Sequence, residues 1–159
     1  GLFNRRAFFP MADTAMEQAA KSEETVSLIM IDIDHYKRIN DAYGHQTGDK
    51  VLGEVSQIIS GQIREGDIVA RYGGEEFVLL LPSMSQEAAM TAANRIGSAI
   101  RLHNFNDGST NVHLTVSIGL ASTPVKENQR VDSLIFFADK ALYRAKKMGR
   151  DCICPHIPE

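Results

Sequence analysis

Apolar residues follow two different spacings along the chain, one typical of helices and the other typical of strands. Apolar positions three or four residues apart predict helices over residues 5–22, 48–63, 86–102 and 131–148. Runs rich in β-branched and aliphatic residues predict strands over residues 26–33, 67–72, 76–81, 112–121 and 152–154. A short helix that ends near Asn40 follows the first strand. The predicted order is therefore α β α α β β α β α β.

Residues that favour helix ends and turns support these boundaries. Asn4 and Ser85 are suited to cap the N-termini of two helices, and Gly149 suits the end of the last one. Between two of the strands, Gly73-Gly74 predicts a tight hairpin, since such turns need positive φ angles. Helices mixed with strands and a central hairpin predict an α/β sandwich, of the α+β kind, that contains antiparallel strand pairs.

The length and charge of the chain limit its class. Its 159 residues fit a single domain over residues 1–159, and a formal net charge of -3 argues against a nucleic-acid platform or an acidic membrane as partner. The longest apolar run, Phe77–Leu81, is far too short to span a membrane. No secretion signal opens the chain, which begins with Gly rather than Met. We therefore expect a cytoplasmic domain excised from a longer sensor or response regulator, with any membrane anchor outside it.

The two cysteines also bear on the compartment. Cys152 and Cys154 are too few for a disulfide framework and favour a reducing environment. With His156 they resemble part of a metal site, but zinc normally takes four ligands. The sequence therefore favours a structural role for this segment.

Two acidic residues close the otherwise apolar strand over residues 26–33. Asp32 and Asp34 share a face because Ile33, between them, points to the other side. Carboxylates at the end of a strand are suited to hold a hard cation, and Asp is also a common N-cap of a following helix. For these residues alone, both interpretations stay open.

The predicted hairpin carries two glycines followed by two glutamates. Gly73 and Gly74 let a phosphate or base approach the backbone, while Glu75 and Glu76 place like charges together unless a cation or solvent relieves them. Taken alone, the segment reads as an exposed hairpin. In combination with Asp32 it indicates carboxylates of neighbouring strands around Mg²⁺, as in nucleotidyl-transfer sites.

Five ordered motifs resemble those of one family. Gly73-Gly74-Glu75-Glu76-Phe77 is similar to the signature of GGDEF-domain diguanylate cyclases, in its GGEEF form. The other motifs are residues 1–6, residues 32–41 with 44–45 and 48–49, residues 117–121 and residues 141–150. The resemblance implies the GGDEF fold, a mostly antiparallel central sheet of about five strands plus a hairpin, flanked by helices and related to the ferredoxin-like palm of nucleotidyl cyclases.

The resemblance implies an activity and its partners. Such domains convert two GTP molecules into cyclic di-GMP and two pyrophosphates, with two Mg²⁺ or Mn²⁺ ions per GTP site. Each domain holds one GTP, so a transient homodimer with a second copy is expected. Cyclic di-GMP is then both product and inhibitor. Nucleic acid and direct membrane contact by this domain are not expected.

The family assigns metal and catalytic roles to five positions. Asp32, the carbonyl of Ile33 and Glu75 are expected to bind metal. Glu75 is also the usual proton acceptor, although a metal-bound carboxylate is a poor base, and Glu76 assists with the metal or the proton. Lys37 is expected to stabilise charge in the transition state.

A larger set is expected to bind the substrate. Asn40 and Asp49 match positions that bind guanine, and Asp accepts from the N1–H and N2–H₂ donors that adenine lacks. On residue type alone, Asn40 is equally suited to end a helix and Asp49 to begin one. The full set is His35, Tyr36, Lys37, Asn40, His45, Asp49, Gly73, Gly74, Lys146 and Arg150.

The backbone and two cations are expected to hold the phosphates. The amides of residues 35–37 lie at a predicted helix N-terminus, which attracts anions. Lys146 and Arg150 lie at the end of the last helix, where cations are favoured in any case. Tyr36 and Asp151 depart from the family, which usually has Phe and often Asn there.

A regulatory site is also implied. Arg64 and Asp67 fit the family's RxxD inhibitory motif, and Arg95 matches a secondary contact, so we expect cyclic di-GMP to bind there. Two other functions stay open, a catalytically silent module that binds GTP or cyclic di-GMP, and a nucleotidyl cyclase with a mononucleotide product.

Overall fold

A computed structural model describes residues 2–106 and 108–158, so that Gly1 of the opening motif lies outside the described residues. The elements in chain order are β1 (Phe3–Asn4), α1 (Arg5–Lys21), β2 (Thr25–Ile33), α2 (Tyr36–Tyr43), α3 (His45–Ser60), β3 (Ile68–Arg71), β4 (Glu76–Leu81), α4 (Gln86–Leu102), β5 (Phe105–Asn106), β6 (Asn111–Val112), β7 (Val116–Pro124), α5 (Val131–Lys147) and β8 (Ile153–Pro155). None of these helices is long and apolar enough to cross a bilayer.

The central sheet has six strands in the order β1-β3-β4-β2-β7-β8. The inner pairs β3–β4, β4–β2 and β2–β7 are antiparallel, and the edge strands β1 and β8 pair in parallel with β3 and β7. The prediction of a mostly antiparallel sheet with flanking helices is confirmed. The prediction missed the two-residue strand β1.

Strand β2 lies at the centre, and alternate residues face two helical layers. Ile29, Ile31 and Ile33 pack in the core beneath α3 and α4, whereas Leu28 and Met30 pack in the core beneath α1 and α5. Because both faces of β2 are covered, its apolar run is nearly continuous.

Helix α5 packs very closely on β7 at one glycine. A Cβ atom at Gly119 would lie 2.1 Å from the carbonyl oxygen of Ala138. This close contact fixes the middle of α5 against the sheet.

Caps and boundaries largely follow the prediction. The side chains of Asn4 and Ser85 accept hydrogen bonds from the amides of Ala7 (2.9 Å) and Ala88 (3.2 Å). Gly149 follows the last helix with a φ of 109°, as a glycine in that position permits. The predicted strand over residues 112–121 is wrong at its start. Val112 belongs to a separate two-stranded ribbon, β5–β6, and β7 begins at Val116.

Candidate functional site

Acidic side chains meet where β2 ends and β4 begins. Asp32 and Glu76 are direct cross-strand partners. Next to them, the amide of Ile33 donates to the carbonyl of Glu75 over 3.2 Å. The strand register therefore brings the predicted metal-binding segment beside the glutamate pair.

A lysine from the other end of the chain reaches this acidic pair. Asp32 is 7% exposed, and its Oδ2 accepts a hydrogen bond of 3.0 Å from Lys146 Nζ. Burial raises the pKa of Asp32, and the bond to Lys146 offsets part of that rise. Burial, followed by the charge of Asp32, also raises the pKa of Glu76. The site therefore favours an added positive charge.

Asp34 serves a different purpose from Asp32. Its carboxylate accepts hydrogen bonds from the hydroxyls of Thr115 and Ser117, both at 2.6 Å, and from the amide of Asp151 at 3.0 Å. Helix α2 begins after His35 and has no side-chain cap. Asp34 therefore does not cap α2, and both oxygens of its carboxylate are already engaged by hydrogen bonds within the chain. It joins β2 to β7 and to the loop after α5.

The glycine–glutamate turn is longer than predicted. Four residues separate β3 from β4, and neither Gly73 nor Gly74 has a positive φ. The hairpin is confirmed, but the reason given for its glycines is wrong. A Cβ at Gly73 would lie 2.7 Å from Glu76 Oε2, and Arg71 donates to the carbonyl of Gly74 at 2.7 Å. Gly73 thus makes room for the glutamate, and Arg71 holds the turn.

A second group of residues lies between α2 and α3. Asn40 Oδ1 is buried without a hydrogen-bond partner, and a Cβ at Gly48 would lie only 1.8 Å from it. The side-chain amide of Asn40 donates a hydrogen bond to the hydroxyl oxygen of Tyr36, and the charges of Asp49 and Glu75 act on that hydroxyl. Burial is the main cause of the raised pKa of Tyr36. An unpartnered buried acceptor points to a donor on a bound molecule.

The structure removes the simpler roles of two of these residues. Helix α2 continues past Asn40 to Tyr43, so Asn40 does not end it. Asp49 lies inside α3, which His45 begins, so Asp49 does not cap it. His45 and Asp49 are both exposed, on the first turns of α3.

The predicted phosphate-binding groups lie at two helix ends. His35 adopts a left-handed conformation (φ 55°) directly before α2, and Lys37 is exposed in the first turn of that helix. Amides in a first turn have no intrahelical partner. Arg150, also left-handed (φ 66°), follows α5, and its charge acts on Asp32. Asp34 holds the adjacent Asp151 amide and so positions Arg150.

The donor set fits a hard divalent cation. Carboxylate and carbonyl oxygens are the ligands of Mg²⁺, and Lys146 already supplies a positive charge at Asp32. Within residues 2–106 and 108–158, no three His, Cys, Asp or Glu side chains form a metal cage. Mg²⁺ typically uses one or two carboxylates with substrate phosphates instead of such a cage.

The three predicted regulatory residues line one cleft of about 440 Å³. Arg64 Nε donates to Asp67 Oδ1 at 3.2 Å, and the Arg64 amide donates to Oδ2 at 3.0 Å. On α4, Arg95 donates to the carbonyl of Gln62 at 2.7 Å. The cleft therefore presents two guanidinium groups, and the Asp67 carboxylate beneath them is only 4% exposed and holds Arg64.

Three residues that hold Asp34 and the glycine–glutamate turn in place were not predicted from the sequence, namely Arg71, Thr115 and Ser117. Thr115 and Ser117 are two positions apart, the spacing that places two side chains on one face of a strand, and this was the available signal. Arg71 gave no signal, since an Arg that ends a strand is common on any surface.

Comparisons with known proteins agree with this geometry. The family model described as diguanylate cyclase, GGDEF domain, matches residues 1–152. Diguanylate cyclase A of Treponema denticola is 41% identical over 136 residues, which is 86% of this chain and 36% of that protein. The chain spans about a third of the length of several of the curated relatives that it matches.

Solved structures give the same result. The active GGEEF domain of a diguanylate cyclase from Vibrio cholerae superposes with a TM-score of 0.92 at 31% identity, and the match covers 100% of both chains. The GGDEF domain of DgcB from Caulobacter crescentus, in complex with c-di-GMP, gives 0.92 at 34% identity, covering 99% of this chain and 90% of that one.

Proposed function

The chain belongs to the GGDEF-domain family of diguanylate cyclases, and on that premise we propose that it condenses two GTP molecules into cyclic di-GMP and two pyrophosphates. The contact between Lys146 and Asp32 carries the proposal. A cation suited to phosphate and a carboxylate suited to metal occupy one place, beside Glu76. A triphosphate with its metal bridges such groups.

The choice of guanine rests on Asn40 and Asp49. The unpartnered Asn40 Oδ1 accepts a hydrogen bond from the base, and the Asp49 carboxylate accepts from guanine N1–H and N2–H₂. Adenine lacks those two donors, so ATP would leave Asp49 without its partners. Gly48 is required beside Asn40 because any side chain there would displace the amide.

The metal is Mg²⁺ or Mn²⁺, two ions per GTP. These ions would be held by Asp32, the carbonyl of Ile33 and Glu75. When bound, the metal supplies positive charge that neutralises the triphosphate and favours ionisation of a 3′-hydroxyl.

The chain's own groups orient the triphosphate and move a proton. The 3′-oxygen of one GTP bonds to the α-phosphorus of the other, the bond from that phosphorus to the β-phosphate oxygen breaks, and pyrophosphate leaves. Three positively charged side chains stabilise the negative charge of the phosphates, namely those of Lys37, Lys146 and Arg150. The hydroxyl proton passes to Glu75 or Glu76, and the raised pKa of Glu76 makes it a stronger base than an ordinary glutamate.

Two copies are needed to complete the reaction. One chain has one set of guanine-binding residues, Asn40 and Asp49, and one acidic site at Asp32, so it holds one GTP. A second copy presents the other GTP head to tail, and the same step repeated in the opposite sense closes the ring. The homodimer is transient, since each copy releases the shared product.

The cleft of Arg64, Asp67 and Arg95 binds the product and inhibits the enzyme. Guanidinium groups bind phosphates or guanine edges, and a carboxylate accepts from guanine N1–H and N2–H₂. Cyclic di-GMP offers both kinds of group. The c-di-GMP complex of the related GGDEF domain of DgcB supports product binding by this fold.

The deciding experiment uses this chain fused to a dimerising coiled coil. Incubation with GTP and Mg²⁺, followed by chromatographic separation, is expected to yield cyclic di-GMP, and the Glu75→Ala variant of the same fusion none. Binding of GTP without any product would instead support a silent nucleotide-binding module. A mononucleotide product would support the related cyclase activity.

A further inference from the structure

Three sulfur atoms that the proposed function does not use lie where α5 meets β8. Met148 follows the last turn of α5, and Cys154 lies in β8. The Sγ of Cys154 lies 3.5 Å from the Sδ of Met148. Cys152, just before β8, directs its Sγ toward the carbonyl of Ala145 at 3.4 Å.

The third sulfur belongs to the same cluster. Cys152 packs against the small cluster formed by Cys154, Ala141 and Ala145. Burial raises the pKa of the Cys152 thiol, and the neighbouring Cys154 thiol is the next cause. Both cysteines are free thiols. The other two members of the cluster are alanines of α5, so the sulfur atoms are its polarisable groups.

Access to the cluster is one-sided. Cys154 is 4% exposed, whereas Met148, whose Sδ contacts the Cys154 thiol, is 73% exposed, so the thioether lies on the solvent side of that thiol. Met148 is unbranched and flexible, and it adapts readily to an ion delivered from outside. This combination of a buried thiol and an exposed thioether differs from ordinary core packing.

The donor set selects the class of ion. His156 is stacked on Phe137 with ring centroids 4.2 Å apart, so its imidazole is engaged away from the thiols. Soft sulfur ligands bind Cu(I) and zinc, but zinc prefers four nitrogen or sulfur ligands, so a set of two thiols and one thioether favours Cu(I). We propose that Met148, Cys152 and Cys154 bind one Cu(I) ion.

The charges around the cluster suit this assignment. Binding releases both thiol protons, so two thiolates and one Cu(I) carry a single net negative charge. Arg144 donates to the carbonyl of Pro155, next to Cys154, at 2.7 Å. Lys147 directly precedes Met148 in the chain and is exposed. These cations compensate the charge of the loaded site.

The test is an anaerobic titration of the reduced 159-residue chain with Cu(I) held by a chromogenic chelator. We expect the chain to withdraw one Cu(I), and Met148→Leu to weaken binding by at least about tenfold, the lower bound for loss of an outer-shell partner. Met11→Leu on α1 is the matched control and should bind as the parent does. Met148 is exposed, so its variant is expected to fold, which circular dichroism will check.

Several outcomes would overturn the assignment. Equal affinity in Met148→Leu and the parent would exclude the thioether as a ligand. Tighter binding of Zn²⁺ than of Cu(I), in the same competition, would exclude a soft-ion site. Loss of both thiols to a disulfide, without retained copper, would show a redox pair instead. Retained Cu(I) binding in a folded Cys152→Ser variant, with an unchanged far-ultraviolet spectrum, would exclude that thiol as a ligand. None of these results depends on cyclase activity.

Discussion

Lys146 Nζ lies 3.0 Å from Asp32 Oδ2, although 114 residues separate the two in the chain. The lysine comes from the end of α5 and the aspartate from the end of β2. Their side chains are 34% and 10% exposed, so the lysine reaches solvent while the aspartate is largely buried. Under the proposed function each must exchange this partner, the lysine for a phosphate and the aspartate for a metal ion.

The first prediction concerns that ion pair. Lys146→Met keeps the aliphatic stem and leaves Asp32 without its cation, so the domain should lose about 1 kcal/mol, as expected for a pair whose lysine remains partly solvated. For a domain of this size that corresponds to a fall in melting temperature of about 2–4 °C. Lys140→Met, on the exposed side of the same helix, should melt close to the parent. In an Asp32→Asn background, Lys146→Met should have little effect, and an undiminished effect there would show that the pair does not couple.

The second prediction is a pH dependence of stability. Because burial raises the pKa of Asp32, the folded state binds a proton more tightly than the unfolded state does. The stability that this tighter proton binding contributes is fully present below the ordinary pKa of Asp. It is lost as pH rises through the raised pKa of the folded state. Asp32→Asn removes that loss, so the metal-free variant should be more stable than the parent near neutral pH.

Thermal melts at several pH values without divalent metal check this. The advantage of Asp32→Asn should grow as pH rises above the ordinary range of Asp, and Asp41→Asn, at an exposed site, should show none. The Asp32 variant should form no cyclic di-GMP. A variant less stable than the parent at neutral pH would contradict the assigned cost of burying Asp32.

The third prediction concerns Tyr36. Its hydrogen bond holds the side chain of Asn40, so Tyr36→Phe should loosen the guanine-binding amide. A neutral hydrogen bond contributes about 1 kcal/mol, which corresponds to about a fivefold rise in KM for GTP with kcat nearly unchanged. Tyr43→Phe, at the exposed end of the same helix, is the control. An unchanged KM in Tyr36→Phe would show that Asn40 is positioned without the hydroxyl.

The fourth prediction concerns the regulatory cleft. Arg64→Ala removes charged hydrogen bonds worth about 1.5–3 kcal/mol, so calorimetry should show cyclic di-GMP binding weakened about 10- to 100-fold. Inhibition by the product should weaken in parallel while the initial rate stays unchanged. Arg130→Ala, on another surface, should behave as the parent does. Product inhibition that survives in Arg64→Ala would place the inhibitory site elsewhere.

Much of the fold is readable in the sequence because helical and strand periodicities are local. The five helices, the central strands and the caps at Asn4 and Ser85 follow from residues close together in the chain. Short elements such as β1 and the β5–β6 ribbon were missed because two residues carry no measurable period. The turn at Gly73 was assigned the wrong backbone conformation. A glycine is needed there because a Cβ atom would clash with the Glu76 side chain, and not because φ is positive.

The candidate site residues were predicted from the sequence alone, because five ordered motifs are linear patterns of residue types. Their division of labour was decided only by the tertiary structure. Asp32 and Asp34 are alike in sequence, yet one faces Lys146 and the other is saturated by Thr115, Ser117 and the Asp151 amide. Those contacts join segments more than 80 residues apart, and a hydrogen bond depends on where packing places its two atoms, which no local pattern encodes.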